Sequence, residues 1–251
     1  MAVQYAFNKN RVTYVNVEAP VYFLQLDYPE AFPRVGNPYN AIYAYKWAGL
    51  SDTGLPQIYD ENGEKFTYAP GTLESIVYAG TTVPKYSGSL NNTLDYKNFT
   101  LSFLLTFEGG HKMRNTFLPM LGNNYNGLFG YVSTIGVINK EINNRWRVQG
   151  DEARTNVPRA VFAEDPDFNS QSAGIYQNAD INVLDATNLR MRNISLAYKL
   201  PSGISSKLGM RGMRVQFNME NAFTLARSQN ARYLLNGYVK PNYVWGVYFN
   251  F

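Results

Sequence analysis

The chain has no cysteine and one histidine among its 251 residues. Without cysteine there is no disulfide, no thiolate zinc site and no cysteine nucleophile. His111, in GGHKMRN, is the one histidine, and no Ser-His-Asp arrangement stands out around it; a lone loop histidine reads as solvated. Charge is scarce too: 17% of residues are charged, against about 25% in ordinary soluble domains. The net charge of +4 comes from scattered residues. The one basic cluster, Arg145, Arg147 and Arg154, is interrupted by Asp151 and Glu152, so there is no nucleic-acid footprint. No run of about 18 apolar residues occurs, which excludes a transmembrane helix. The N-terminus lacks a basic start followed by an apolar core, so this segment is not a signal peptide; if the protein is exported, its signal lies outside this chain. No phosphate-binding glycine loop is found, and no cofactor is expected.

Aromatic residues are plentiful, at 15%, with 20 Tyr and 15 Phe. Tyrosine suits boundaries between wet and greasy phases. A helical membrane bundle is excluded, but a membrane barrel is not, because alternation dilutes its apolar residues.

Alternation is what the sequence shows. In KNFTLSFLLTFEGG, residues Phe99, Leu101, Phe103, Leu105 and Phe107 share one parity, and Thr100, Ser102, Thr106 and Glu108 the other. This period of two predicts a strand with unlike faces. The preceding segment alternates from Tyr86 to Tyr96, and Lys97-Asn98 joins the two as a tight hairpin. A second hairpin combines ISLAYKLP with GMRVQFNMEN, where Met213, Val215, Phe217 and Met219 oppose Arg214, Gln216, Asn218 and Glu220. The parity breaks between Met191 and Ile194, which predicts a bulge near Arg192-Asn193. The terminal NYVWGVYFNF puts Tyr243, Trp245, Val247, Phe249 and Phe251 on one face. Weaker strands are expected over residues 11–26 and 40–48, giving seven or eight in all.

The links at 97–98 and 201–211 are short; those at about 49–84, 108–187 and 225–241 are long. The long ones fall on alternate connections, hence on one side of the sheet. Short turns at one end and long loops at the other are the pattern of an outer-membrane barrel. The expected fold is therefore all-β, an antiparallel transmembrane β-barrel segment with short periplasmic turns and long extracellular loops. Its apolar faces would meet lipid. Arg214, Gln216, Asn218 and Glu220 would face the lumen, meeting polar cargo or forming a network with a plug. The rival is a soluble or surface-attached β-sheet module that binds glycans or acts as an adhesin. No catalytic or metal site is expected. The acidic run AEDPDFN (Glu164, Asp165, Asp167) reads as a solvated loop, with a cation site or a carboxylate pair as alternatives. YDENGEK reads as a turn at Asn62-Gly63 rather than a calcium loop.

Several segments, in order, resemble the C-terminal part of the SusC/RagA family of TonB-dependent outer-membrane transporters. They are VGNPYNAIYAYKWAGL (35–50), VPKYSGSLNNTLDYKNFTLSFLLTFEGGHKMRN (83–115), NRWRVQGDEARTNVPR (144–159), NLRMRNISLAYKLP (188–201) and GMRVQFNMENAFTL (212–225), closed by NYVWGVYFNF. The resemblance implies a 22-stranded barrel with an N-terminal plug, energised by TonB-ExbB-ExbD, importing oligosaccharide or peptide across the outer membrane of a Gram-negative, Bacteroidetes-like cell. It implies a SusD-like surface lipoprotein as a lid. Residues 1–251 would be the C-terminal portion of that barrel, with plug and N-terminal domains lying outside this chain. The block with Arg145, Trp146, Arg147, Asp151, Glu152 and Arg154 would be extracellular and contact the lid. Gly246, Phe249 and Phe251 resemble the signal read by the barrel assembly machinery, which makes Phe251 the expected native C-terminus.

Overall fold

Period-two alternation has a strict geometric consequence: one side of each strand meets one medium and the other side another. The computed structural model describes residues 1–119, 139–161, 165–167, 170–207, 209–236 and 239–251. Among them lie twelve strands: β1 (Ala2–Phe7), β2 (Ala41–Leu50), β3 (Pro56–Tyr59), β4 (Lys65–Phe66), β5 (Ile76–Thr81), β6 (Tyr86–Tyr96), β7 (Phe99–Gly109), β8 (Lys112–Arg114), β9 (Val183–Asp185), β10 (Asn188–Lys199), β11 (Gly212–Ala226) and β12 (Asn242–Asn250). No described helix is long and apolar enough to cross a membrane.

The chain divides into two units, one built from residues 1–9, 84–111 and 185–251, the other from 10–83 and 112–184. The first holds a six-stranded sheet in the order β1-β6-β7-β10-β11-β12. Every pairing in it is antiparallel. The expected hairpins are its centre. β6 and β7 pair from Tyr96↔Phe99 to Tyr86↔Gly109, across a turn in which Lys97 takes a left-handed φ of 52°. β10 and β11 pair from Lys199↔Arg214 upward, with a short helix, Ser202–Lys207, in their link.

The expected bulge is present and it grows across the sheet. Met191 and Asn193 of β10 face consecutive residues of β7, Leu105 and Leu104, so Arg192 is extra. Against β11 the same two residues face Phe223 and Glu220, so β11 carries Asn221 and Ala222 where β10 carries Arg192 alone. Asn221 has φ 51°, a left-handed conformation that asparagine tolerates better than most residues. The offset keeps Met191 and Leu189 on the apolar face after the parity break.

Both long excursions and the 227–241 link leave from the same rim of this sheet, the one marked by Phe7, Tyr86, Gly109, Asn188 and Ala226. The other rim carries the Lys97-Asn98 turn, the 200–211 link and Phe251. The alternation of short and long connections therefore holds.

The excursions are not structureless, however, and here the sequence expectations fail. Residues 40–48 do form a strand, but β2 belongs to the second unit, at the centre of a four-stranded sheet ordered β4-β3-β2-β5. Ala41 to Tyr45 are all buried, with no alternation, because both faces of β2 are covered. Leu26, Tyr43, Tyr45, Ile58, Ile76 and Ile175 form one core there. Residues 11–26 give no strand: Tyr22–Asp27 is a helix that buries Gln25 and Leu26. A short apolar stretch suits either period, and here packing chose the helical one. The six-stranded sheet thus has fewer strands than the seven or eight expected, and its first strand, β1, was not foreseen.

Candidate functional site

Register sorts the residues of the six-stranded sheet into rows. Leu94, Leu101, Leu196, Phe217 and Trp245 form one row across β6, β7, β10, β11 and β12. The adjacent row, on the opposite face, is Thr93, Ser102, Ser195, Asn218 and Val244. The apolar face is exposed: Trp245 is 71% accessible, Tyr5 67% and Leu94 53%. Contiguous apolar exposure on this scale marks a surface meant for another medium or partner.

The polar face is cross-linked. Thr93 and Ser102 share a hydrogen bond of 3.0 Å, and Thr100 Oγ1 donates to Asp95 at 2.5 Å. Gln216 Nε2 donates to both Ser195 Oγ and Asn218 Oδ1 at 2.9 Å. Glu220 accepts from Asn242 Nδ2 at 3.4 Å. The Arg214 guanidinium lies 4.5 Å from the centre of the Tyr248 ring. The four residues singled out on β11 thus share one face, and each is tied to a neighbour on that face. Sequence reading missed their companions toward the excursion rim. Asn188 donates to Glu108 at 3.3 Å and accepts from Arg190 Nε at 2.9 Å. The bulge concealed this group, since parity counted back from Ile194 assigns Arg190 to the apolar side.

Gly246 pairs with Gln216. A side chain at Gly246 would press on the Tyr248 ring, 3.1 Å away, which is the ring that carries Arg214. Phe249 pairs with Met213, its ring 6.3 Å from that of Phe251, and Phe251 is 77% accessible.

In the second unit, the block from Arg145 to Arg159 is a folded loop. The Trp146 ring lies where a Gly54 side chain would be; Gly54 has φ +77° and leaves that space open. Trp146 Nε1 donates to Glu152 at 2.9 Å, and the Glu152 carboxylate also accepts from Gly150 N. Asp151 accepts from Arg147 N and Val148 N at 3.0 and 3.1 Å. These bonds hold both carboxyls below their usual range, the Arg147 amide chiefly for Asp151 and the Trp146 indole for Glu152. Asp151 and Glu152 therefore shape the loop, whereas Arg147, Val148 and Arg154 are exposed.

Two minor expectations resolve differently, and a third holds. His111 is buried, at 6% accessibility, and burial lowers its pKa, so it is not a solvated loop histidine. Asp165 and Asp167 are clamped by Arg159, with ion pairs of 2.6 and 2.8 Å; they are neither a free carboxylate pair nor simply solvated. Glu164 lies outside the described residues, as do residues 120–138 of the 108–187 segment. YDENGEK is the turn between β3 and β4, where Asp60 accepts from Asn62 N and Glu64 N at 2.9 and 2.7 Å and Gly63 has φ +86°.

No sequence-family profile matches the chain. TonB-dependent receptor P3 of Formosa agariphila is 25% identical over 218 residues, which are 82% of this chain and 19% of the receptor. The structure of the RagAB peptide transporter matches 98% of this chain with a TM-score of 0.68 at 19% identity, and 26% of that chain is covered. The RagAB peptide importer in its closed-closed state gives 0.65 at 21% identity, and in its open-open state 0.60 at 18%. The chain thus spans about a fifth of the curated relative and a quarter of the solved ones. The likeness to TonB-dependent receptors and to RagAB agrees with the SusC/RagA resemblance of the sequence blocks. The relatives so named are transporters and receptors, not enzymes.

Proposed function

We propose that this chain is the C-terminal part of the wall and loops of a SusC/RagA-type TonB-dependent importer in the outer membrane, taking up oligosaccharide or peptide. One observation carries the reading: a meander of six antiparallel strands with an exposed apolar face backed by a hydrogen-bonded polar face. β6, β7, β10, β11 and β12 have 9 to 15 residues, enough for a tilted strand to cross a bilayer. Lipid cannot satisfy backbone groups, so the free edges of β1 and β12 require further strands to close a barrel. The family-typical number is 22, the remainder coming from sequence outside this chain.

In this reading the polar face lines the lumen. Gln216, Asn218 and Glu220 bond to neighbours in the same sheet, which leaves less of their capacity for cargo; their remaining groups would meet a plug or polar cargo. The excursion rim is extracellular, and the exposed Arg147, Val148 and Arg154 meet a SusD-like lipoprotein lid. TonB-ExbB-ExbD engages sequence outside this chain. Gly246, Phe249 and Phe251 are read by the assembly machinery; Phe251→Ala should lower the amount of folded protein in the outer membrane while leaving synthesis unchanged, as immunoblots of folded and total protein would record.

No cysteine of this chain competes with a label introduced into it. Single cysteines at Leu196 and Ser195, neighbours on opposite faces, would be spin-labelled in reconstituted membranes. Oxygen should relax the label at 196 and a water-soluble relaxant the label at 195. A protein that stays monodisperse and unfolds cooperatively without detergent, with position 196 shielded, would instead support the soluble binding module and sink this proposal.

A further inference from the structure

The apolar face of the six-stranded sheet is not flat at the excursion rim. One row there reads Tyr5, Gly88, Phe107, Leu189 and Leu225. Gly88 breaks it. The Phe107 ring occupies the place of a Gly88 side chain and sits 6.4 Å from the Tyr5 ring. Phe107 therefore leans toward β6 and leaves room on its β10 side. A shallow depression of about 300 Å³ results, with Tyr86, Phe107, Leu189 and Leu225 as its apolar walls. Thr187 and Arg227 close its rim end. Arg227 lies two residues past Leu225 and is exposed; it makes no ion pair among the described residues. Glu108 also borders the depression, but its carboxylate accepts from Asn188 in a polar-face row.

An apolar slot on a greasy face, ending in an unpartnered guanidinium beside a hydroxyl, has the chemistry of an amphiphile with an anionic head. Guanidinium matches phosphate with paired hydrogen bonds, and an arginine at the end of an apolar face can hold its charged head at the polar boundary while its stem lies along the apolar surface. A free anion would need no slot, and an apolar partner would leave Arg227 uncompensated. We infer that this depression seats a phosphorylated membrane lipid, one acyl chain against Leu189 and Leu225 and the phosphate on Arg227 and the Thr187 hydroxyl. The inference rests on the membrane reading given above.

The test uses the protein extracted in a neutral detergent, with native mass spectrometry as readout and phosphatidylglycerol, diacylglycerol and inorganic phosphate as probes. Phosphatidylglycerol should bind, and Arg227→Gln should weaken it by about tenfold, the scale of one lost charge-assisted hydrogen bond. Leu189→Trp, which fills the slot, should abolish binding while Arg227 remains. Diacylglycerol and inorganic phosphate should bind neither protein measurably. Equal lipid retention by wild type and Arg227→Gln overturns the seat, as does full competition by inorganic phosphate. Those results would leave the membrane reading intact. A protein that needs no detergent and takes up no lipid removes both.

Discussion

The two units of this chain bury opposite things. In the six-stranded sheet, large apolar residues such as Trp245 and Leu94 are turned outward and threonine, serine and glutamine hydrogen-bond behind them. In the unit made by the two excursions, Tyr43 and Ile58 are fully buried, and the loop surface is shaped by carboxylates that accept backbone amides. The second unit is organised as a water-soluble domain is, with a core driven by the hydrophobic effect. Among its described residues the first has no core of that kind, and its apolar face is exposed; in the proposed reading that face meets lipid. One sequence therefore carries two burial patterns, distinguished by whether large residues alternate or run on.

The comparison can be broken most forcefully in the core of the excursion unit. Ile58→Ala should cost roughly 2–5 kcal/mol, since a buried branched side chain is lost and a cavity left behind. Chemical denaturation monitored by Trp47, whose ring lies 5.6 Å from that of Tyr176, would measure it. On the outer face, Leu196→Ala should change little in detergent, and unequal losses at the two sites are the expected signature. Leu196→Arg comes next. In a bilayer it should destabilise by about 2–4 kcal/mol if the residue lies near the midplane, whereas in aqueous surroundings a charge at this exposed position would be tolerated. A refolding titration into lipid vesicles would decide between the two. The smallest effect concerns the carboxylates. Asp151 and Glu152 have folded pKa values below the usual range, so their contribution is present above that range and lost as pH falls through the lowered values. The 145–159 loop should loosen on acidification below the ordinary carboxylate range of about 4, with Trp146 emission changing in a Trp47→Phe, Trp245→Phe background. Glu152→Gln should show the change at neutral pH, and an unaltered acid profile in that variant would remove the assignment.

Much of the sheet was legible because alternation over nine or more residues has one structural solution, and the parity break at Met191 to Ile194 marked the bulge. The companions of the β11 residues were not legible. Arg190 changes face only because Arg192 is extra, and that is a matter of register with β7 and β11. The excursions were misjudged for a related reason: β2 is covered on both faces and so has no alternation to read.

What the sequence determined by itself was which residues share a face, since strand geometry converts parity into sidedness. Composition added the exclusions: no thiol chemistry and no helix that spans a membrane. Only the tertiary structure decided which strands keep company. It placed β2 in a core rather than in the six-stranded sheet, tied Asp165 and Asp167 to Arg159, buried His111, and let Phe107 fall into the space above Gly88. Apart from the Arg159 pairs, whose partners lie six and eight residues away, those outcomes depend on contacts between residues distant in sequence, and local periodicity carries no record of any of them.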